Sequence, residues 1–317
     1  MSGFLLSNLC VGISVIISIF ICVGIITNTT NILVFWRLGM SSVSNLSLLV
    51  LSTVDLINVL LMTGTAIVLS PPIARWTSVK ESAILWLSCP LIYSTIAISS
   101  WVTVVINMER CCCVVFPMKV KQIFTRKVVT SLFFGMVLYQ LAISVPHYSL
   151  MGLTPVTSTT TNETLLAFDF LKYNNNLGLV FVFASSTAPT AISFVLVIIG
   201  TTFLLVKLRQ SAEFHSSMTG NRRIRISTRE KKVARSAFGI CVIYIVCFSP
   251  TVGIYVATAI FPRFDVPDPV YGNAATFILY LSMLLQVVSA SINFFVYLEM
   301  LSQFKGTLKN LFLRRHN

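Results

Sequence analysis

Where this chain keeps its charges constrains it more than any other feature. Residues 1–36 carry none before Arg37, and 38–74 carry one, Asp55. Windows 82–108, 128–162, 173–206, 236–262 and 269–298 carry none at all. Crossing the hydrocarbon core of a bilayer takes about 20 apolar residues, so each of these seven windows is long enough. Lipid offers an unpaired backbone group no partner, and each window should therefore be a helix. Composition agrees: 10% of the 317 residues are charged and 56% hydrophobic, against about 25% charged in an ordinary soluble domain. So few charges cannot cover a 35.1 kDa globule in water, which excludes a soluble enzyme, and a mean hydropathy of +0.86 excludes a disordered chain. The expected fold class is an all-α membrane protein, a seven-transmembrane-helix bundle with a short amphipathic cytoplasmic eighth helix. Its spans are expected at 9–36, 44–70, 82–113, 127–150, 175–207, 230–261 and 271–299, within a single domain of residues 1–317.

The basic residues set the orientation. With the N-terminus outside, the external segments hold Arg75, Lys80, Lys172 and Arg263, and the other 19 of the 23 Lys and Arg lie on the cytoplasmic side. Five acidic residues lie outside and four inside, giving −1 outside and +15 inside, with Asp55 in the membrane completing the total of +13. Such alternation between loops fits membrane insertion rather than nucleic-acid binding. Met1–Gly3 lacks the basic start of a cleaved signal peptide, so the first helix is expected to act as an uncleaved signal. Past Glu299, Phe304, Leu308, Leu311 and Phe312 recur at helical spacing among Lys305, Lys309, Arg314 and Arg315. That pattern predicts an amphipathic helix over 301–314 on the inner leaflet.

Polar groups inside spans are costly and tend to mark function. Asp55 is the one carboxylate deep within a span, and Asn31, Ser99 and Asn293 lie at suitable depth to partner it. Two readings stay open. The cluster suits a sodium ion or ordered water, or it holds a neutral Asp55 satisfied by amides as a structural plug. Glu109 and Arg110 end the third span at the cytoplasmic face, and Ser99, eleven residues earlier, shares a helix face with Arg110. Glu230 opens the sixth span, and Asn293 and Tyr297, four apart, share a face of the seventh.

With these residues in place, the chain resembles a rhodopsin-like (class A) G-protein-coupled receptor over its whole length. Asn31 with Val34, and the run from Asn45 to Asp55 and Leu56, resemble the family's first and second helices. Met108-Glu109-Arg110 with Pro117 resembles Asp/Glu-Arg-Tyr and the proline of the following loop, and Pro189 matches the fifth-helix proline. Cys247-Phe248-Ser249-Pro250 resembles Cys-Trp-x-Pro, with Glu230 twenty residues before Pro250, and Asn293-Phe294-Phe295-Val296-Tyr297 resembles Asn-Pro-x-x-Tyr. The turn Phe35-Trp36-Arg37-Leu38-Gly39 and the stretch Pro117-Met118-Lys119-Val120-Lys121 are similar to gastropod mollusc chemosensory receptors.

The resemblance implies a plasma-membrane receptor, N-terminus extracellular and C-terminus cytoplasmic. It would bind an extracellular ligand and activate a heterotrimeric G protein through outward movement of the sixth helix, hinged at Pro250. Arg110, held by Glu109 and Glu230, would be the switch, with Asn293 and Tyr297 beside it. By the same carry-over, Ile92, Tyr93, Ile96, Phe181, Ser185, Phe248, Tyr255 and Gln286 would line the ligand pocket. Ile92 stands where amine receptors have an Asp, and no Lys occurs in 271–298 to form a retinal Schiff base. A small, chemosensory molecule is therefore expected; a neuropeptide receptor of the same family is the alternative. From another class, the rival is a multi-span transporter, but no internal repeat is visible. The chain also departs from the family. Leu85 occupies the usual third-helix cysteine position and 114–240 contain no Cys, so the external disulfide cannot form. Cys89 is expected to be a free thiol, with Cys10 the alternative partner. The toggle Trp is Phe248, the seventh-helix proline is Phe294, the fifth-helix Tyr is Val197, and Met136 stands near the place of the fourth-helix Trp. Asn162, in Asn162-Glu163-Thr164, is the expected glycan acceptor.

Overall fold

The structure, a computed structural model, describes residues 3–68, 81–116, 119–150, 152–157, 164–168, 180, 183–217, 228–261 and 271–313. Eight helices carry the architecture: α1 (Gly3–Leu38), α2 (Val43–Val68), α3 (Glu81–Val115), α4 (Arg126–Leu150), α5 (Ala188–Ser217), α6 (Thr228–Ile260), α7 (Gly272–Met300) and α8 (Ser302–Leu313). A single helical turn, Val120–Ile123, sits in the link between α3 and α4, and a π-helical turn, Phe183–Thr187, leads into α5. Among the described residues, seven helices are long and apolar enough to cross a membrane. They form a seven-transmembrane-helix bundle, with the amphipathic α8 after it.

The bundle is apolar on its outside. α1 has the most apolar span of the seven and is the least buried. Val15, Ile19, Ile26 and Leu33 on α1, and Leu138, Leu141 and Val145 on α4, are exposed. In water such a surface would aggregate; in lipid it is the matched solvent. Hydroxyls in the spans pair with their own helix, as when Thr53 donates to the Leu49 carbonyl at 2.8 Å and Thr63 to that of Val59 at 2.7 Å. This removes the cost of a bare polar group in hydrocarbon.

Local sequence explains where α1 stops. Gly39 takes a positive φ of +83°, its N–H donates to the Trp36 carbonyl, and Asn45 Nδ2 donates to the Gly39 carbonyl at 3.2 Å. A residue in this left-handed conformation closes a helix, and glycine adopts it without steric cost. The turn delivers α2 antiparallel to α1. α7 also lies against α1, and α3 contacts α2, α4, α5 and α6. α3 is therefore the central helix. Where the ends of α1 and α7 meet α8, Phe35, Tyr297 and Phe304 are fully buried, with ring centroids 5.2 to 5.7 Å apart. Phe304 thereby fastens α8 to α1 and α7.

One element went unforeseen between α4 and α5. β1 (Leu153–Thr157) pairs antiparallel with β2 (Thr164–Phe168), in register from Leu153↔Phe168 to Thr157↔Thr164. β2 packs against α3.

Candidate functional site

Asp55, only 4% exposed on α2, is satisfied from two other helices. Ser99 of α3 donates to its Oδ1 at 2.7 Å, and Asn293 Nδ2 of α7 donates to its Oδ2 at 3.1 Å. A cavity of about 20 Å³ opens beside it, room for one water-sized species. The lining runs from Asp55, Ser99 and Asn293 through Ile96 and Tyr244 to Phe248 and Gln286. Polar cluster and inner pocket therefore share one space. Asn31 is fully buried on α1, but neither atom of its amide has a hydrogen-bond partner, so it is not a ligand of Asp55. The donor set beside the cavity, one carboxylate with hydroxyl and amide oxygens, fits a small hard cation or a water equally well.

At the C-terminal end of α3, Arg110 and Glu109 are both buried and form an ion pair at 3.4 Å. Ser44 at the start of α2 joins them: its hydroxyl accepts from Arg110 Nη2 and donates to Glu109 Oε1 at 2.9 Å. The spacing of Glu109 and Arg110 was legible; Ser44 was not. The side chain of Glu230, on the first turn of α6, lies outside the described residues. Pro250 sits within α6, and Tyr297 is enclosed by Phe35 and Phe304.

Toward the opposite end, Ile92, Tyr93 and Phe248 pack in one cluster with Ile96 and Tyr244, and Tyr244 stacks on Phe248 with centroids 4.3 Å apart. The Tyr244 hydroxyl shares a 2.9 Å hydrogen bond with Ser193 of α5. Gln286 Nε2 donates to Thr251 Oγ1 of α6 at 3.1 Å. Ser185 and Ser186 are buried in the π-helical turn, and Tyr255 hydrogen-bonds Ser186. That turn has a readable cause. Pro189 has no N–H, so it can serve neither the Ser185 carbonyl at α-helical spacing nor the Ala184 carbonyl at π-helical spacing. Two adjacent residues of α4 replace it: Gln140 Nε2 donates to the Ser185 carbonyl at 3.2 Å and Tyr139 to the Ala184 carbonyl at 2.9 Å. Cys89 and Cys10 are unbridged. Phe181 and Asn162 lie outside the described residues.

This arrangement of seven helices, a carboxylate bridged by three of them and a held arginine at one end invites comparison with known families. The model of the 7 transmembrane receptor (rhodopsin family) matches residues 27–297. The chain belongs to that family. The match starts within α1 and ends on Tyr297, so it takes in all seven spans. No curated protein matches the chain. As a rhodopsin-family member the protein is a multi-pass membrane receptor rather than an enzyme, and a ligand and a G protein are the partners the family implies. Besides Ser44, sequence reasoning passed over Asn107, Tyr139, Gln140 and Ser193. Each is a polar residue inside or at the edge of a span, which is the signal that could have raised them.

Proposed function

We propose that this rhodopsin-family receptor binds a small extracellular ligand of chemosensory type and activates a heterotrimeric G protein through outward movement of α6. The observation that carries the reading is the arginine at the cytoplasmic end of α3, held by Glu109 and Ser44. Such a group has one role while restrained and another once freed to meet a partner. The apolar cluster of Ile92, Tyr93, Ile96 and Phe248, with Gln286 as one of few polar groups near it, supports a small and mostly apolar ligand, while the 20 Å³ cavity beneath has room only for a water or an ion. Ile92 in place of an acid speaks against a simple amine.

Mechanistically, two conformations must be biased differently by ligand and G protein. Pro250 supplies a hinge in α6, because a proline removes one backbone hydrogen bond and permits a kink. Ligand contact at Phe248 would shift Tyr244, stacked on it, and hence the α5 contact at Ser193. Opening then separates Glu230 from Arg110. Couplings of this kind are typically about 1–3 kcal/mol. Asp55, Ser99 and Asn293 would hold a sodium ion in the closed form, where it supplies positive charge to the buried carboxylate. The +15 charge of the segments assigned to the cytoplasm supports an extracellular N-terminus in the plasma membrane. Asn162 would then carry a glycan.

Ligand-free nucleotide exchange on a panel of G proteins tests the reading in wild type, Glu230→Ala, and Glu230→Ala with Arg110→Ala. Exchange should rise in the single variant and fall back in the double. If all three stay at background with normal surface expression, both the switch and the coupling are refuted.

A further inference from the structure

Three residues before Arg110, Asn107 is buried to 1% exposure where α3 meets α5. Its Nδ2 donates to the Val197 carbonyl at 3.0 Å and to Thr201 Oγ1 at 3.3 Å. One turn further on, the Cys111 thiol donates to the Gly200 carbonyl at 3.3 Å. The helices approach so closely here that a Cβ on Gly200 would lie 2.7 Å from Asn107 Nδ2 and 3.1 Å from its Cγ. Real Cβ atoms essentially never come that close, so the amide keeps this place only because residue 200 has no Cβ. In lipid, where burying apolar surface drives no association, close packing on small residues and interhelical hydrogen bonds hold helices together. Both devices meet at this one point, beside Cys241 of α6, which is fully buried.

We propose that Asn107, seated on Gly200, is a positioning residue that pins α5 to α3 one turn from Arg110 and restrains opening of the cytoplasmic end. The inference rests on the receptor reading above and adds to it a clamp independent of Glu230. Val197 contributes only its backbone carbonyl to this contact, so the polar group comes from α3. When the clamp is broken, α5 and α6 separate from α3 more often, and the buried thiols of Cys111 and Cys241 become reachable.

Those thiols make the test possible without a ligand or a G protein. The full chain in lipid nanodiscs is treated with a small maleimide, and labelling of each cysteine is followed by mass spectrometry. Asn107→Ala and Gly200→Ala should each speed labelling of Cys111 and Cys241 by about tenfold, the equivalent of one lost buried hydrogen bond. The double variant should label no faster than Asn107→Ala alone, since the new methyl enters space the amide has left. General destabilisation would add instead. Cys89, at the outer end of α3, should keep its wild-type rate. Should Asn107→Ala expose Cys89 too, Thr201→Val removes one acceptor of the amide and a partner of Cys241, and it must show a smaller rise at Cys111, whose bond to the Gly200 carbonyl it leaves in place. Wild-type protection in these variants, or additive effects in the double, overturns the clamp.

Ligand-free exchange on the same variants separates this inference from the receptor reading. Raised exchange in Asn107→Ala alongside faster labelling supports the clamp as a restraint on signalling. Faster labelling without it, on a G protein that responds to Glu230→Ala, overturns that role. If Glu230→Ala is silent as well, the coupling reading fails, while the labelling still decides the clamp.

Discussion

Arg110 and Glu109 are neighbours in sequence, and the geometry of such a pair is poor by itself: their atoms meet at 3.4 Å. Ser44 improves it by accepting from one and donating to the other, so one hydroxyl orients both charges. Arg110 Nε and Glu109 Oε2 already lack partners, which leaves little redundancy. Ser44→Ala should therefore raise ligand-free exchange by about tenfold, the low end of the effect of losing a hydrogen bond to charged groups. Ser44→Thr keeps the hydroxyl and should stay near wild type. Equal exchange in Ser44→Ala and wild type would show that the hydroxyl is idle. Asp55 allows a second test at this scale. A sodium ion bound to the closed form stabilises it by mass action. Replacing choline with sodium at constant ionic strength should raise the Tm of wild type and leave Asp55→Asn unmoved. Identical melting in both salts would favour the neutral, amide-satisfied Asp55 instead.

At the scale of elements, the spans were legible because lipid punishes misplaced charge, and the chain keeps its charges, Asp55 apart, at or beyond the ends of its membrane-crossing segments. The contact of Asp55 with Ser99 and Asn293 was legible for the same reason, since a buried carboxylate needs partners at its own depth. What escaped the sequence depends on groups that it does not mark. Ser44 reads as ordinary turn composition. Asn107 bonds a backbone carbonyl, which every residue has. β1 lies in the charge-free window 128–162 and β2 just beyond Glu163, and their threonines and apolar residues do not by themselves mark a strand pair outside the expected span. The π-helical turn is subtler still, because Pro189 predicts lost donors but not which helix will replace them. Its two substitutes are tested unequally by substitution. Gln140 is buried and Tyr139 exposed, so Gln140→Leu should cost about 1–3 kcal/mol by removing a buried donor to the Ser185 carbonyl. A fall in Tm of the receptor in nanodiscs, larger than that of Tyr139→Phe, is the expected result. A Gln140→Leu variant as stable as wild type would mean that water or a rewound turn satisfies that carbonyl.

The whole molecule is built inside out relative to a water-soluble bundle. Its most apolar helix, α1, is the least buried, and hydrogen-bonded Asn28, Ser100, Asn107 and Ser193 are buried at 1% exposure or less. Polar contacts in the interior thus take over part of the work that apolar burial does in water, and they leave the helices able to exchange one set of partners for another. That economy makes sense for a receptor, whose two states must lie within a few kcal/mol of each other. It also means that nothing in the packing fixes which way the bundle faces; the distribution of Lys and Arg does. Residues 222–235 hold seven of the basic side chains, and the external assignment of 158–163 depends on the same rule. An epitope inserted after Gly220 should accordingly react in cells only after permeabilisation, whereas one at the N-terminus should react on intact cells. Endoglycosidase treatment should shift the mobility of wild type but not of Asn162→Gln. An epitope at Gly220 accessible on intact cells would invert the whole assignment: the basic loops would face outward, and Arg110 could not meet a G protein.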